Sequence, residues 1–211
     1  SSSMVDRVAP KTSDTLRKLV VDTTGLEDAW PVSAEPFSQW VIEDNFAAER
    51  PPFDKVGAVF SNNISLFEQM KLRFLNAGHS IISSLAYLHD KSTIHEALDD
   101  ENILRFVTQT LHESVLPVTI IPSFCNGEEY ISDVLARFKN SALPYTAQQV
   151  NTDCSQKIQQ RWFPTIDAIL AANGNFRRMS FALAVWAHYV ESALQSEELN
   201  DPLRDKFLDI V

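Results

Sequence analysis

The stretch "KLRFLNAGHS", Lys71 to Ser80, sets a lysine, an asparagine and a histidine at positions i, i+5 and i+8, with Glu68 one turn ahead of them. These residue types can move a proton and hold an oxygen. An amine among apolar neighbours has its charged form disfavoured, which brings its proton affinity toward neutrality and makes Lys71 a candidate general acid or base. Asn76 and His79 offer neutral donors to an oxygen on which charge develops. Glu68 could relay the lysine's proton to solvent. None of this chemistry needs a metal. On an ideal helical wheel with Lys71 at zero, Glu68, His79 and Asn76 fall at about 60°, 80° and 140°. They line one face, interleaved with Leu72, Leu75 and Ile82, as a half-buried site would be. A structural alternative stays open: Glu68 and Lys71 as an i,i+3 pair, with Asn76 and His79 satisfying nearby backbone.

The elements that must position these residues are helical. Met70, Phe74, Ala77, Ile81 and Leu88 form an apolar stripe opposite the polar face. Similar periods predict helices over about 65 to 89, 93 to 115, 127 to 138, 144 to 173 with a break near Pro164, and 176 to 196. Breakers at Pro117, Pro122, Gly127, Pro144, Gly174 and Pro202 punctuate them. The first 62 residues read differently. A short helix opens at Ser13, and Ser38–Asp44 and Val56–Ser61 read as strands. Two strands are not a stable sheet, so residues 1–62 read as the end of a larger domain and 63–211 as a helical domain. The fold class expected is mainly α with a small β remnant near the N-terminus.

Composition excludes several functions. Lysine and arginine number 18 against 28 aspartates and glutamates, and the net charge of −10 argues against nucleic acid or an anionic membrane as partner. No apolar run reaches the roughly 18 residues of a membrane span; "SFALAVWAHYV" is nearest, and His188 interrupts it. Cys125 and Cys154, in no CxxC spacing, indicate a reducing, cytoplasmic compartment and exclude a thiolate zinc site. His89, His95, His112 and His188 show no metal-ligand spacing. Five glycines form neither GxGxxG nor GxxxxGK[ST], so no such loop cradles a nucleotide here. Phe181, Trp186 and Tyr189 are expected in the core, and Arg177 and Arg178 at a solvated helix end.

At Lys71, Asn76 and His79 the sequence resembles the polyol-specific long-chain dehydrogenase family, the group of mannitol dehydrogenases and fructuronate reductases. Its motif is a lysine, an asparagine five residues on and a histidine three further. The blocks "SMVDR" (Ser3 to Arg7), "FSQWVIEDNF" (Phe37 to Phe46), "RPPFDKVGA" (Arg50 to Ala58), "RFKN" (Arg137 to Asn140) and "SQKIQQR" (Ser155 to Arg161) are similar to family blocks in the same order. The resemblance implies an enzyme that interconverts a sugar-type carbonyl and its alcohol with NAD(H) or NADP(H). A Rossmann domain would bind the cofactor and a helical carboxy-terminal domain would supply the lysine. It also implies Asp6 at the substrate and Val5 near the nicotinamide. The glycine-rich fingerprint and a second oxyanion asparagine are expected upstream of Ser1. The chain therefore reads as a carboxy-terminal piece, inactive alone.

Substrate class turns on "SQKIQQR". Polyol-oxidising members resemble Ile-Pro-Gly-Phe after the lysine, whereas uronate reductases resemble Lys-x-x-Gln-Arg, as at Lys157, Gln160 and Arg161. A guanidinium grips a carboxylate through two parallel hydrogen bonds, so the expectation is a keto-uronate such as fructuronate, bound by Lys157 and Arg161. Mannitol or another polyol is the alternative. A reading of another class is a helical interaction module without chemistry.

Overall fold

The computed structural model describes residues 2–6, 12–143 and 145–210. Arg7 of the "SMVDR" block and the breaker Pro144 lie outside them. The chain divides into two compact units, Ser1–Ile64 and Ser65–Val211.

The first unit holds a three-stranded sheet of β1 (Ser3–Asp6), β2 (Gln39–Glu43) and β3 (Val59–Ser61), in that order. Strand β1 runs antiparallel to β2, with Ser3 opposite Ile42, and β2 runs parallel to β3, with Val41 opposite Val59. The sequence reading anticipated β2 and β3 and missed β1. Four residues are too few for an alternating pattern to stand out. The stretch Val56–Ser61 is only partly strand, because a 3₁₀ turn occupies Phe53–Val56 and Gly57, at φ 94°, reverses the chain before β3. Helix α1 (Asp14–Thr24) is capped by Ser13, whose hydroxyl accepts from the Leu16 N–H, and ends at Gly25 with φ 70°. It buries none of its residues.

The second unit is helical throughout. A continuous helical path runs from α2 (Ile64–Lys71), through a turn at Leu72–Asn76, into α3 (Ala77–Leu88). Around α3 are α4 (Ile94–Ala97), α5 (Glu101–Thr110), α6 (Gly127–Phe138), α7 (Ala147–Asn151), α8 (Cys154–Arg161), α9 (Phe163–Ala171), α10 (Arg177–Gln195) and α11 (Arg204–Leu208). Every residue of α3 from Ala77 to Ala86 except His79 is buried. It is the unit's central helix, not an amphipathic helix with one stripe. Small residues allow the close approach. A Cβ on Gly78 would lie 3.0 Å from the Phe138 ring. Buried Ser83 ties α3 to α7: its Oγ donates to Asn151 Oδ1 at 2.6 Å, and Asn151 Nδ2 donates to Ser83 O at 3.0 Å.

The predicted helix over 93–115 is two. Thr93 and Glu96 form a capping box on α4, and Asp100 caps α5 through the Asn102 N–H. The predicted helix over 144–173 is three. Asp153, in the left-handed region at φ 55°, separates α7 from α8, and the path breaks again at Trp162 so that Pro164 falls in the first turn of α9.

Candidate active site

Lys71 is the last residue of α2, and the next five residues form a single π turn in which the Ala77 N–H reaches back to Leu72 O. A π turn takes in about one residue more than an α turn, so everything beyond it is rotated back by about 100°. Asn76 then lies about 40° from Lys71 and His79 about 20° on the other side, with Glu68 still near 60°. The four residues occupy a sector of about 80° instead of the 140° of an unbroken α-helix. On this wheel the inserted residue narrows the arc that holds the lysine, asparagine and histidine.

Their surroundings differ. Lys71, Asn76 and His79 are half-buried, whereas Glu68 is exposed. The His79 ring is tilted against Phe138, with centroids 4.5 Å apart, and approaches Tyr145 at 5.8 Å. Tyr145 is carried there by a short bridge: Ile94 N–H donates to Tyr145 O at 3.0 Å and Ala147 N–H to Ser92 O at 2.9 Å. Asn76 Oδ1 is buried and has no hydrogen-bond partner among the described residues.

Arg161, read from sequence as a carboxylate fork, is turned to the central helix. Its Nη1 donates to Asn76 O at 3.2 Å and to Ser80 Oγ at 2.7 Å. Both N–H bonds of that nitrogen are committed, and burial pushes the guanidinium's pKa down to about 10. Lys157 donates from Nζ to Val150 O at 3.0 Å, and burial, followed by the nearby Arg161 charge, lowers its pKa. Asp6 and Val5 belong to the first unit. Asp6 is fully buried and Val5, on the other face of β1, is 52% exposed.

Sequence reasoning missed Trp162, whose indole Nε1 donates to Ala77 O at 3.2 Å with the side chain fully buried. It also missed Arg73, which donates from Nη1 to Val118 O at 2.7 Å. Phe181, expected in the core, is 53% exposed and meets Phe106 edge-on, and both rings line a cavity of about 380 Å³. That cavity, and a second of about 280 Å³ beside Tyr87 and Asn151, are not lined by Lys71, Asn76 or His79. Arg178 pairs with Glu113 at 2.7 Å. Among the described residues no group of three His, Cys, Asp or Glu could hold a metal ion, and no helix is long and apolar enough to cross a membrane.

The helical unit, built around one buried helix that carries the lysine, asparagine and histidine of the motif, is of the kind that the resemblance to the long-chain polyol dehydrogenases implies. The mannitol dehydrogenase C-terminal domain matches residues 63–210, and the mannitol dehydrogenase Rossmann domain matches residues 1–55. The chain belongs to the mannitol dehydrogenase family. Mannitol 2-dehydrogenase of Aspergillus oryzae is 36% identical over 97% of this chain and 42% of its own length. Mannitol dehydrogenase 2 of Saccharomyces cerevisiae is 37% identical over 96% of this chain and 41% of its own. The chain thus spans about two fifths of these relatives. Among solved structures, a substrate-free D-sorbitol dehydrogenase superposes with a TM-score of 0.85 at 31% identity, covering 89% of this chain and 39% of that one. Pseudomonas fluorescens mannitol 2-dehydrogenase, in a ternary complex with NAD and D-mannitol, gives 0.79 at 32% identity, covering 90% and 38%.

Proposed function

We propose that the chain is the substrate-side part of an NAD-dependent polyol 2-dehydrogenase that interconverts a polyol such as mannitol and its 2-ketose. Lys71 is the general acid–base group. The single observation that carries this reading is the phasing of Lys71, Asn76 and His79 by the π turn, within a chain whose relatives are named mannitol 2-dehydrogenases. The residues present fit a cofactor held mainly outside this chain. Val5 offers an exposed apolar side chain suited to a nicotinamide ring, and no glycine-rich phosphate loop occurs in the sequence. A bound nicotinamide cofactor would supply the hydride acceptor in oxidation and the hydride donor in reduction. Lys71 removes the hydroxyl proton as the carbonyl forms and returns it in reduction. Asn76 and His79 hydrogen-bond the reacting oxygen, and exposed Glu68 hands the proton to water. Half-buried Lys157 would orient a remaining hydroxyl, and a role for Asp6 at the substrate rests on the resemblance alone.

The relatives support the polyol, the alternative reading of the sequence, better than the expected keto-uronate. Arg161 Nη1 is bonded to Asn76 O and Ser80 Oγ, which leaves the guanidinium fewer donors for a carboxylate. The relatives' names also point to mannitol. The full-length enzyme should reduce NAD with D-mannitol and should favour a neutral 2-ketose over a keto-uronate in the reverse direction. A specificity constant higher for the keto-uronate would return the assignment to a sugar acid.

A further inference from the structure

We propose that Arg161 and Trp162 are positioning residues that hold the π turn of the central helix, and with it the phase of Asn76 and His79 relative to Lys71. The kinetic consequence rests on the dehydrogenase reading above; the structural one does not. Two consecutive residues at the end of α8 place three hydrogen bonds on one turn. Arg161 Nη1 reaches Asn76 O and Ser80 Oγ, and Trp162 Nε1 reaches Ala77 O. All three acceptors lie at or just beyond the C-terminal end of the π turn at Leu72–Asn76.

A side chain bonded to a helix carbonyl fixes how that turn is rotated about its axis. A π turn is an inserted residue that the helix could accommodate elsewhere along its length. If the insertion moved past Asn76, Asn76 would swing by about 100° relative to Lys71, and His79 would follow if it moved further. The donors come from a different element, and the fully buried Trp162 has little room to follow such a rotation. The brace therefore selects one of two packings of the same helix. The competing role for Arg161, a carboxylate clamp, predicts damage that depends on substrate charge. A positioning role predicts damage that does not.

The test uses the full-length enzyme and its Arg161→Ala, Arg161→Lys and Trp162→Phe variants. Amide hydrogen exchange is followed across residues 72–80. Arg161→Ala and Trp162→Phe should each speed exchange there by about tenfold, as expected for loss of one or two buried hydrogen bonds, while α6 and α10 stay unchanged. Unaltered exchange over 72–80 would overturn the proposal whatever the substrate proves to be. Kinetically, Arg161→Ala should lower kcat on mannitol by about tenfold or more with KM within about twofold. It should lower activity on a keto-uronate by the same factor, and added guanidinium ion should restore part of the rate. A loss confined to the keto-uronate would make Arg161 a substrate clamp and overturn the positioning role. If wild-type enzyme fails to oxidise mannitol, the functional reading falls and hydrogen exchange still decides this one. Should Arg161→Ala not fold, Arg161→Lys, which keeps one donor head, and Trp162→Phe carry both measurements.

Discussion

Between Ala77 and Ala86 only His79 escapes burial, and its ring lies against Phe138 at 4.5 Å, which fixes the plane it presents. Lys71 and Asn76 share its face because the π turn removes about 100° of rotation between them. If this face is the reacting centre, truncating each residue has a distinct signature. In the full-length enzyme Lys71→Ala should lower kcat by at least about 10² while leaving NAD affinity nearly intact, because proton transfer is lost and the cofactor site is not. Near-normal turnover would remove Lys71 from the chemistry. Asn76→Ala and His79→Ala should each lower kcat by roughly 10² if they bond the oxygen that gains charge. A rise in KM alone would make either one a ground-state binding residue.

At the scale of elements, the packing of α3 on α6 depends on a missing methyl group. Replacing Gly78 by alanine improves helix propensity by about 1 kcal/mol. Its Cβ would sit 3.0 Å from Phe138 Cε2, and that ring is 3% exposed and already against His79. Overpacking costs about 1–3 kcal/mol, so Gly78→Ala should lower the denaturation midpoint and also disturb His79. A stabilised variant with unchanged kinetics would mean the Phe138 ring has room to move. The helix itself was legible from the apolar residues between Met70 and Leu88, and the motif from the spacing of Lys71, Asn76 and His79. The π turn was not legible, since "LRFLN" contains no residue that demands it and tertiary bonds from Arg161 and Trp162 help hold it. Phe181 shows the same limit from the other side. An aromatic side chain on α10 suggests burial, but only the packed neighbours decide which of its residues are covered.

Across the whole molecule, the two units differ in how they close. Unit one is a small sheet with an exposed α1. The helical unit ties the start of α8 to the segment before α11 through Asp201, whose carboxylate accepts from Ser155 N–H at 2.8 Å, Ser155 Oγ at 2.7 Å and the Cys154 thiol at 3.3 Å. Cys154 packs there with Tyr189, Val190, Ala193, Leu194 and Leu199. Burial first, and then the Asp201 charge, push the Cys154 thiol from an ordinary 9.0 up to about 12. Tyr189 is raised as well, again chiefly by burial. A group whose pKa is raised by folding stabilises the native state fully below its unfolded pKa and loses that contribution as pH rises toward the folded value. Here the native state keeps a proton that the unfolded chain gives up, so stability should fall from about pH 9 upward. Cys154 alone accounts for about 1.4 kcal/mol by pH 10, and Tyr189 adds to the loss above that pH. Urea unfolding at pH 8 and pH 10 measures the fall. Cys154→Ala should start lower because of the small void, yet lose about 1.4 kcal/mol less than wild type between the two pH values. Parallel losses in the two proteins would mean that the thiol ionises alike in the folded and unfolded chains, and the alkaline sensitivity would have to come from Tyr189 or from groups outside this cluster.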